Sequence, residues 1–390
     1  MRGFALLGIF IANIRDFSGY ALSDLSTRTA LTGPNTTLYE SLQATIVDGK
    51  FYTLFSLLFG IGFAIQLKGL ETDPNRSART YLRRTLILLV IGIIHLVVFW
   101  IGDILTFYAL LGFFLFLFRN ASDRTVLWAA AAMFCVPLIG YVVAWASAFS
   151  MDLGFYARGT NALRASFPAL SDNLPALMAV DTWADFFAFT TSSFWLRIGY
   201  NFESWRMPKL AFIMLVGLWV GRQILAGALL NETKKLWTIA VIGISLGLSV
   251  GYIYGLLGPV RPFAGPANAT GLARMATYML SVFPMGFAYA ALFALLWKAK
   301  PSALKVFCAP GRMALTNYLM QTFIGITIFY GVGFGYVLKV GFVGLTLIAF
   351  SVFAFQAALS WLWLQRFRYG PAEWIWRCLT YGQLLPIRRA

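Results

Sequence analysis

Apolar runs of spanning or near-spanning length recur ten times along the 390 residues, at about 2–14, 51–67, 85–102, 104–118, 126–149, 208–225, 236–257, 275–297, 313–334 and 341–364. A hydrocarbon core about 30 Å thick is crossed by roughly 20 apolar residues in a helix. Only structures that satisfy their own backbone hydrogen bonds cross it. The pattern therefore predicts an all-α, polytopic transmembrane helix bundle of about ten spans. Composition agrees, since 12% of the residues are charged where a soluble domain carries about 25%, and mean hydropathy is +0.73.

Residues 1–364 read as a single bundle with two long extracytoplasmic connections, 15–50 and 150–207, and 365–390 as a cytoplasmic tail. The semi-apolar stretch Phe186–Trp195 is expected in the membrane interface rather than as an eleventh span. The third and fourth runs are joined only by Gly102-Asp103, which predicts a tight helical hairpin. Gly243, Gly247 and Gly251 share one helix face, a pattern that allows close helix contact. Within the tail, Pro371–Cys378 reads as a short amphipathic interfacial helix, and Trp361, Trp363, Trp374 and Trp376 as interfacial aromatics.

Charge sets the expected orientation. Of 31 Lys and Arg, 20 fall on one side of the alternating loops, and of 15 Asp and Glu only five do, giving net +15 on that side and +1 on the other. The positive-inside rule makes the first side cytoplasmic and places both termini there. The overall +16 is thus a topological signal and not a footprint for nucleic acid.

Several chemistries are excluded by residue type. Cys135, Cys308 and Cys378 lie in unrelated segments and form neither a disulfide framework nor a metal-ligand spacing. One histidine rules out a polyhistidine metal site within one chain, and no P-loop pattern is present.

His95 is the one side chain whose unperturbed pKa lies near neutrality, and it sits inside an apolar run. A hydrogen-bonded core histidine is the plain reading; a general base is the sharper one. Asp103 follows eight residues later, about 12 Å away along a straight helix, on the same face but out of contact. It either lines one cavity with His95 and holds an acceptor group, or caps the fourth span. Asn13, Arg15 and Asp16 end the first span near the same level, reaching that cavity or anchoring at the interface. Asn317 and Gln321 are i,i+4 neighbours beside Thr316, with Arg312 a turn earlier. They hydrogen-bond between helices or form a polar path from the basic face toward His95. Arg83, Arg84 and Arg312 stand at span mouths, where anionic lipid headgroups or a phosphate-rich cofactor would be met.

The segments Gly311–Gln321 (GRMALTNYLMQ) and Arg366–Tyr381 (RFRYGPAEWIWRCLTY) resemble the signature of the YeiB-like family of bacterial membrane proteins, a family defined by a domain of unknown function, number 418. Arg2–Ile9, Lys50–Phe63 and His95 with Gly102–Leu105 agree with it in the same order. The family is similar at superfamily level to transmembrane acyltransferases. That resemblance implies transfer of an acyl (acetyl) group from a cytoplasmic acyl-CoA donor to a sugar or small-molecule acceptor on the far side of a bacterial inner membrane. On this reading His95, Asp103 and Asn13 are the catalytic candidates, and Arg83, Arg84, Arg312, Asn317 and Gln321 the acyl-CoA-binding ones. The expected partners are membrane lipids and a small-molecule or glycan acceptor, with no nucleic acid and a homodimer as an open option. Two departures stand out. Residues 15–50 contain no histidine where the related acetyltransferases have a catalytic one, and no aspartate precedes Arg2-Gly3, so the first span is expected to lack part of its start. A small-molecule transporter or export component and a non-catalytic membrane protein remain the alternatives.

Overall fold

In the computed structural model, residues 1–68, 74–147, 153–170, 173–257 and 267–389 are described, and the acidic pair Glu71 and Asp73 of the charge count lies outside them. The fold is all-helical, with no β-strand among the described residues. The first apolar run folds as α1 (Arg2–Phe17). The first connection folds as α2 (Leu25–Thr32) and α3 (Thr36–Ile46) and leads into α4 (Lys50–Lys68). Next come α5 (Pro74–Ile94), α6 (Leu105–Phe116) and α7 (Asp123–Ser147). The second connection forms α8 (Phe155–Ser166), α9 (Leu174–Met178), α10 (Trp183–Ser192) and α11 (Phe194–Phe202). After it run α12 (Arg206–Leu225), α13 (Thr233–Leu257), α14 (Ala269–Ala299), α15 (Cys308–Arg312), α16 (Ala314–Phe329), α17 (Phe342–Arg366) and α18 (Pro371–Tyr381).

Among the described residues, seven helical stretches are long and apolar enough to cross a membrane: α4 taken with α3 and the turn between them, α5 with the turn after it, α7, α12, α13, α14 and α17. The shorter apolar helices α6 and α16, and α1 with 16 residues, account for the remaining apolar runs. The chain is a multi-pass membrane protein. Phe186–Trp195 falls across the junction of α10 and α11, helices of 10 and 9 residues that pack with α8 over the end of α5, so no continuous spanning helix forms there.

Missing side chains set the tightest helix contacts. A Cβ on Gly60 of α4 would lie 2.1 Å from the Met214 carbonyl of α12, and one on Gly217 would lie 2.4 Å from the Leu57 carbonyl. Backbone cannot retreat as a side chain can. Gly60→Ala is therefore expected to cost about 2 kcal/mol, the scale of core overpacking, and a melting temperature in detergent equal to wild type would contradict this contact. The Gly243–Gly247–Gly251 face packs on α14 as its spacing suggests: a Cβ at Gly243 would meet the Pro284 carbonyl at 2.3 Å.

α1 runs through the middle of the bundle, against α4, α16 and α17. Its first turn abuts α15, where Gly3 approaches the Phe307 carbonyl, while α18 packs on α5 and α16. The start of α1 and the tail helix thus share one end of the bundle, together with Arg84 and Arg312. Phe17, the α5–α6 turn and α8–α11 occupy the opposite end.

Candidate functional site

The α5–α6 connection is where the sequence departs most from regular helix. α5 widens into a π turn over His95–Phe99, and Trp100 then turns extended at φ −153°, ψ 123°. Single π turns are rare and concentrate at functional sites. The chain reverses through Gly102, and this corrects the straight-helix expectation. Asp103 does not stand about 12 Å along the helix from His95; its Oδ1 lies 2.8 Å from His95 Nδ1. The same carboxylate accepts the N–H groups of Leu105 at 3.0 Å and Thr106 at 2.9 Å, so it also caps the first turn of α6. On the other side of the ring, Nε2 lies 2.9 Å from Thr322 Oγ1 on α16. With the carboxylate accepting from Nδ1–H, Nε2 is left as an acceptor for the threonine hydroxyl. Hydroxyl, imidazole and carboxylate stand in the order of a nucleophile triad. All three are buried, at 1%, 2% and 0% exposure, and none lines either of the two cavities beside them.

Arg197 of α11 holds this turn from the far side. Its Nε donates to the Asp103 carbonyl at 3.0 Å, and its Nη2 to the Gly102 carbonyl at 2.9 Å. Burial, with the neighbouring Arg206 charge adding to it, pushes Arg197 down to about 10, so it is still a cation at neutral pH.

Two cavities lie back to back in the bundle. The larger, about 480 Å³, is at the His95 end and takes in Asn13, Arg15, Asp16, Trp100, Arg197 and Arg206. The smaller, about 190 Å³, is at the other end, lined by Arg2, Arg84, Arg312, Glu373, Trp376 and Arg377. Ile9, Ile104, Tyr108 and Tyr318 belong to both and form the partition between them. His95 sits directly behind this partition: its ring is 5.3 Å from that of Tyr318 and 6.4 Å from that of Trp100.

The candidates from sequence divide accordingly. Asn13, with Arg15 and Asp16, faces the larger cavity. Arg15 pairs with Asp48 at 3.5 Å, whereas the Asp16 side chain makes no hydrogen bond or ion pair among the described residues. Arg84 and Arg312 line the smaller cavity, Arg84 lying 4.2 Å from the centre of the Trp376 ring. Arg83 is displaced from it, its guanidinium set beside Gly382 at the end of α18. Asn317 and Gln321 follow the interhelical alternative and not the polar path or the acyl-CoA-binding role: they line neither cavity and bond to α17. Asn317 Nδ2 donates to Ser360 Oγ at 2.9 Å and Gln321 Nε2 to Gln356 Oε1 at 3.0 Å. The face of α16 that carries them looks away from His95, and the side chain that reaches His95 is Thr322, one position on.

Residues missed from the sequence cluster at both ends. Trp205 precedes Arg206 in the left-handed region, φ 59°, ψ 23°, which costs a non-glycine residue about 1–2 kcal/mol. Gly140 of α7 makes the compensating seat, for a Cβ there would lie 2.1 Å from the indole. At the other end Glu373 of α18 reaches across to cap α16, accepting from Leu315 N–H at 2.6 Å, Thr316 N–H at 3.1 Å and the Thr316 hydroxyl. Loss of a helix cap costs about 1–2 kcal/mol. Glu373→Ala should lower the melting temperature accordingly, while Glu373→Gln, which keeps an acceptor, should lower it less. Equal stability of Glu373→Ala and wild type would remove the cap from this account.

A helical membrane bundle with two opposed cavities, each carrying several arginines, and a buried hydroxyl–imidazole–carboxylate unit at their partition is the class that fold and site define. Within that class the chain belongs to the YeiB-like family. Residues 204–383 match the family model described as protein of unknown function (DUF418), a segment that carries Arg206, α16 and Glu373 but not His95. The chain is 30% identical to the uncharacterized protein YeiB of Escherichia coli (strain K12), over 97% of this chain and 94% of that one. It is 29% identical to the uncharacterized protein YxaH of Bacillus subtilis (strain 168), over 100% and 94%. No solved structure matches it.

Proposed function

We propose that this protein is a bacterial inner-membrane acyltransferase that passes an acyl group from acyl-CoA at the arginine-rich end to an acceptor in the larger cavity. The observation that carries the reading is the pair of cavities sharing a thin partition beside His95. Arg2, Arg84, Arg312 and Arg377 suit the phosphates of coenzyme A, since guanidinium groups bind phosphate through paired hydrogen bonds. A space of about 190 Å³ admits the narrow pantetheine arm and leaves the nucleotide on the arginine rim. The thioester would then arrive at Tyr108 and Tyr318.

In the proposed step an acceptor oxygen or nitrogen attacks the thioester carbon, the C–S bond breaks, and the acceptor proton is taken up and delivered to the leaving thiolate. His95 is the proposed proton acceptor, oriented by Asp103. At rest its Nε2 is paired with Thr322 and screened by Tyr318, so the reading requires that ring to turn aside when the thioester reaches it. Purified protein given labelled acetyl-CoA and a membrane or periplasmic extract should release coenzyme A and label an extract component. Absence of both would overturn the reading.

Opposed cavities across a partition also suit a transporter that opens to one side at a time. Net movement of a solute into vesicles without consumption of acyl-CoA would favour that second reading.

A further inference from the structure

We propose that the larger cavity recognises a small acceptor through an anionic group, a carboxylate or a phosphate, with Arg206 as its anchor. The word acceptor rests on the acyl-transfer reading; the anion site itself does not.

Arg206 opens α12 and points into the cavity between two aromatic rings, its guanidinium carbon 5.2 Å from the centre of Tyr52 and 5.3 Å from that of Tyr200. It makes no ion pair among the described residues, and its Nε is buried without a hydrogen-bond partner. A guanidinium partly withdrawn from water, with one N–H left unpaired, gains from a compensating charge or hydrogen bonds. Two further basic groups lie nearby. Arg197 donates to neutral backbone carbonyls and lies over the Phe107 and Tyr200 rings, with no carboxylate hydrogen-bonded to it among the described residues. One turn along α12, Lys209 is 6% exposed, its Nζ 3.9 Å from the Met275 sulfur and 5.1 Å from the centre of the Tyr278 ring, again with no acid paired to it among the described residues.

The acid available inside is Asp16, which faces the cavity but is ion-paired with none of these cations among the described residues. Asp48, the second aspartate of the cavity wall, is engaged by Arg15 and Gln43. The cavity therefore presents a positive patch around Arg206, with the Asp16 carboxylate bonded to none of its cations but within reach of their field. A guanidinium fork binds carboxylate or phosphate through two parallel hydrogen bonds. The Tyr52 hydroxyl, already 2.7 Å from that of Tyr278, adds a donor beside it. An acceptor carrying an anion at one end and a hydroxyl at the other would place the anion on Arg206 and leave the hydroxyl free to face Asp16 and the partition.

The test is direct binding to the full chain in detergent, without acyl-CoA, read by tryptophan fluorescence, since Trp100 lines the cavity and Trp205 adjoins Arg206. Lactate and glycerol phosphate are the two anionic probes, and glycerol is their uncharged counterpart. At least one anion should bind ten-fold or more tightly than glycerol, and the stronger one identifies carboxylate or phosphate as the natural group. Arg206→Gln should weaken that probe at least ten-fold, and Asp16→Asn should tighten it by removing a repelling charge. Arg206→Lys, which keeps the charge and loses the fork, should fall between and carries the test if the glutamine variant does not fold. Anions no better than glycerol, or unchanged affinity in Arg206→Lys and Arg206→Gln, would overturn the proposal. Anion binding without turnover would sink acyl transfer alone; turnover on uncharged acceptors without anion binding would sink this site alone.

Discussion

Replacing His95 with alanine is expected to reduce acyl transfer by about 10²–10⁴-fold, the usual contribution of a positioned general base. Alanine also leaves Asp103 without one of its three donors, so the decisive comparison is His95→Asn. Its amide can still donate toward the carboxylate but carries no group that titrates near neutrality. Both variants should bind acyl-CoA as wild type does, because the arginines of the smaller cavity are untouched. Release of coenzyme A by His95→Asn at the wild-type rate would eliminate His95 as the base and leave the Thr322–His95–Asp103 chain as a structural clasp between α5, α6 and α16.

The second large effect is expected at Asp103. Its buried carboxylate accepts from His95 and from the N–H groups of Leu105 and Thr106. Asp103→Ala would strand three donors where water does not reach. At about 1–3 kcal/mol for each unsatisfied buried group, the loss should be at least about 3 kcal/mol. Thermal unfolding in detergent should show the alanine variant well below wild type. Asp103→Asn should lie between them, as its amide oxygen still accepts while its NH₂ opposes one of the donors. A melting temperature for Asp103→Ala within error of wild type would mean that the α5–α6 turn is held by Arg197 and not by the carboxylate.

The spans were legible because hydropathy and helix length are local properties: each of the ten apolar runs is helical within a few residues. The His95–Asp103 contact was hidden because helical periodicity carries a residue forward along one axis. The π turn over His95–Phe99 and the reversal at Gly102 fold Asp103 back onto His95 instead. Asn317 and Gln321 show a second limit. Their i,i+4 spacing fixed a shared face, but not whether that face meets α17 or the cavity, and Thr322 on the adjoining face was passed over. Arg197 and Arg206 follow from the second long connection, where charge carries little topological weight, so counting basic residues gave them no prominence. The left-handed Trp205 that sets Arg206 in place depends on the seat at Gly140, 65 positions earlier in the sequence, which no local pattern reveals.

In the proposed reaction an acyl donor enters at the arginine-rich end and reacts across the partition. Its most direct test uses sealed vesicles in which the orientation of the C-terminal tail is known, with labelled acetyl-CoA supplied to one face at a time and acceptor extract to the other. Coenzyme A should be released on the face bearing Arg84, Arg312 and α18, and label should appear in acceptor on the opposite face. Consumption of acetyl-CoA from the opposite face, or from neither, would contradict that reaction.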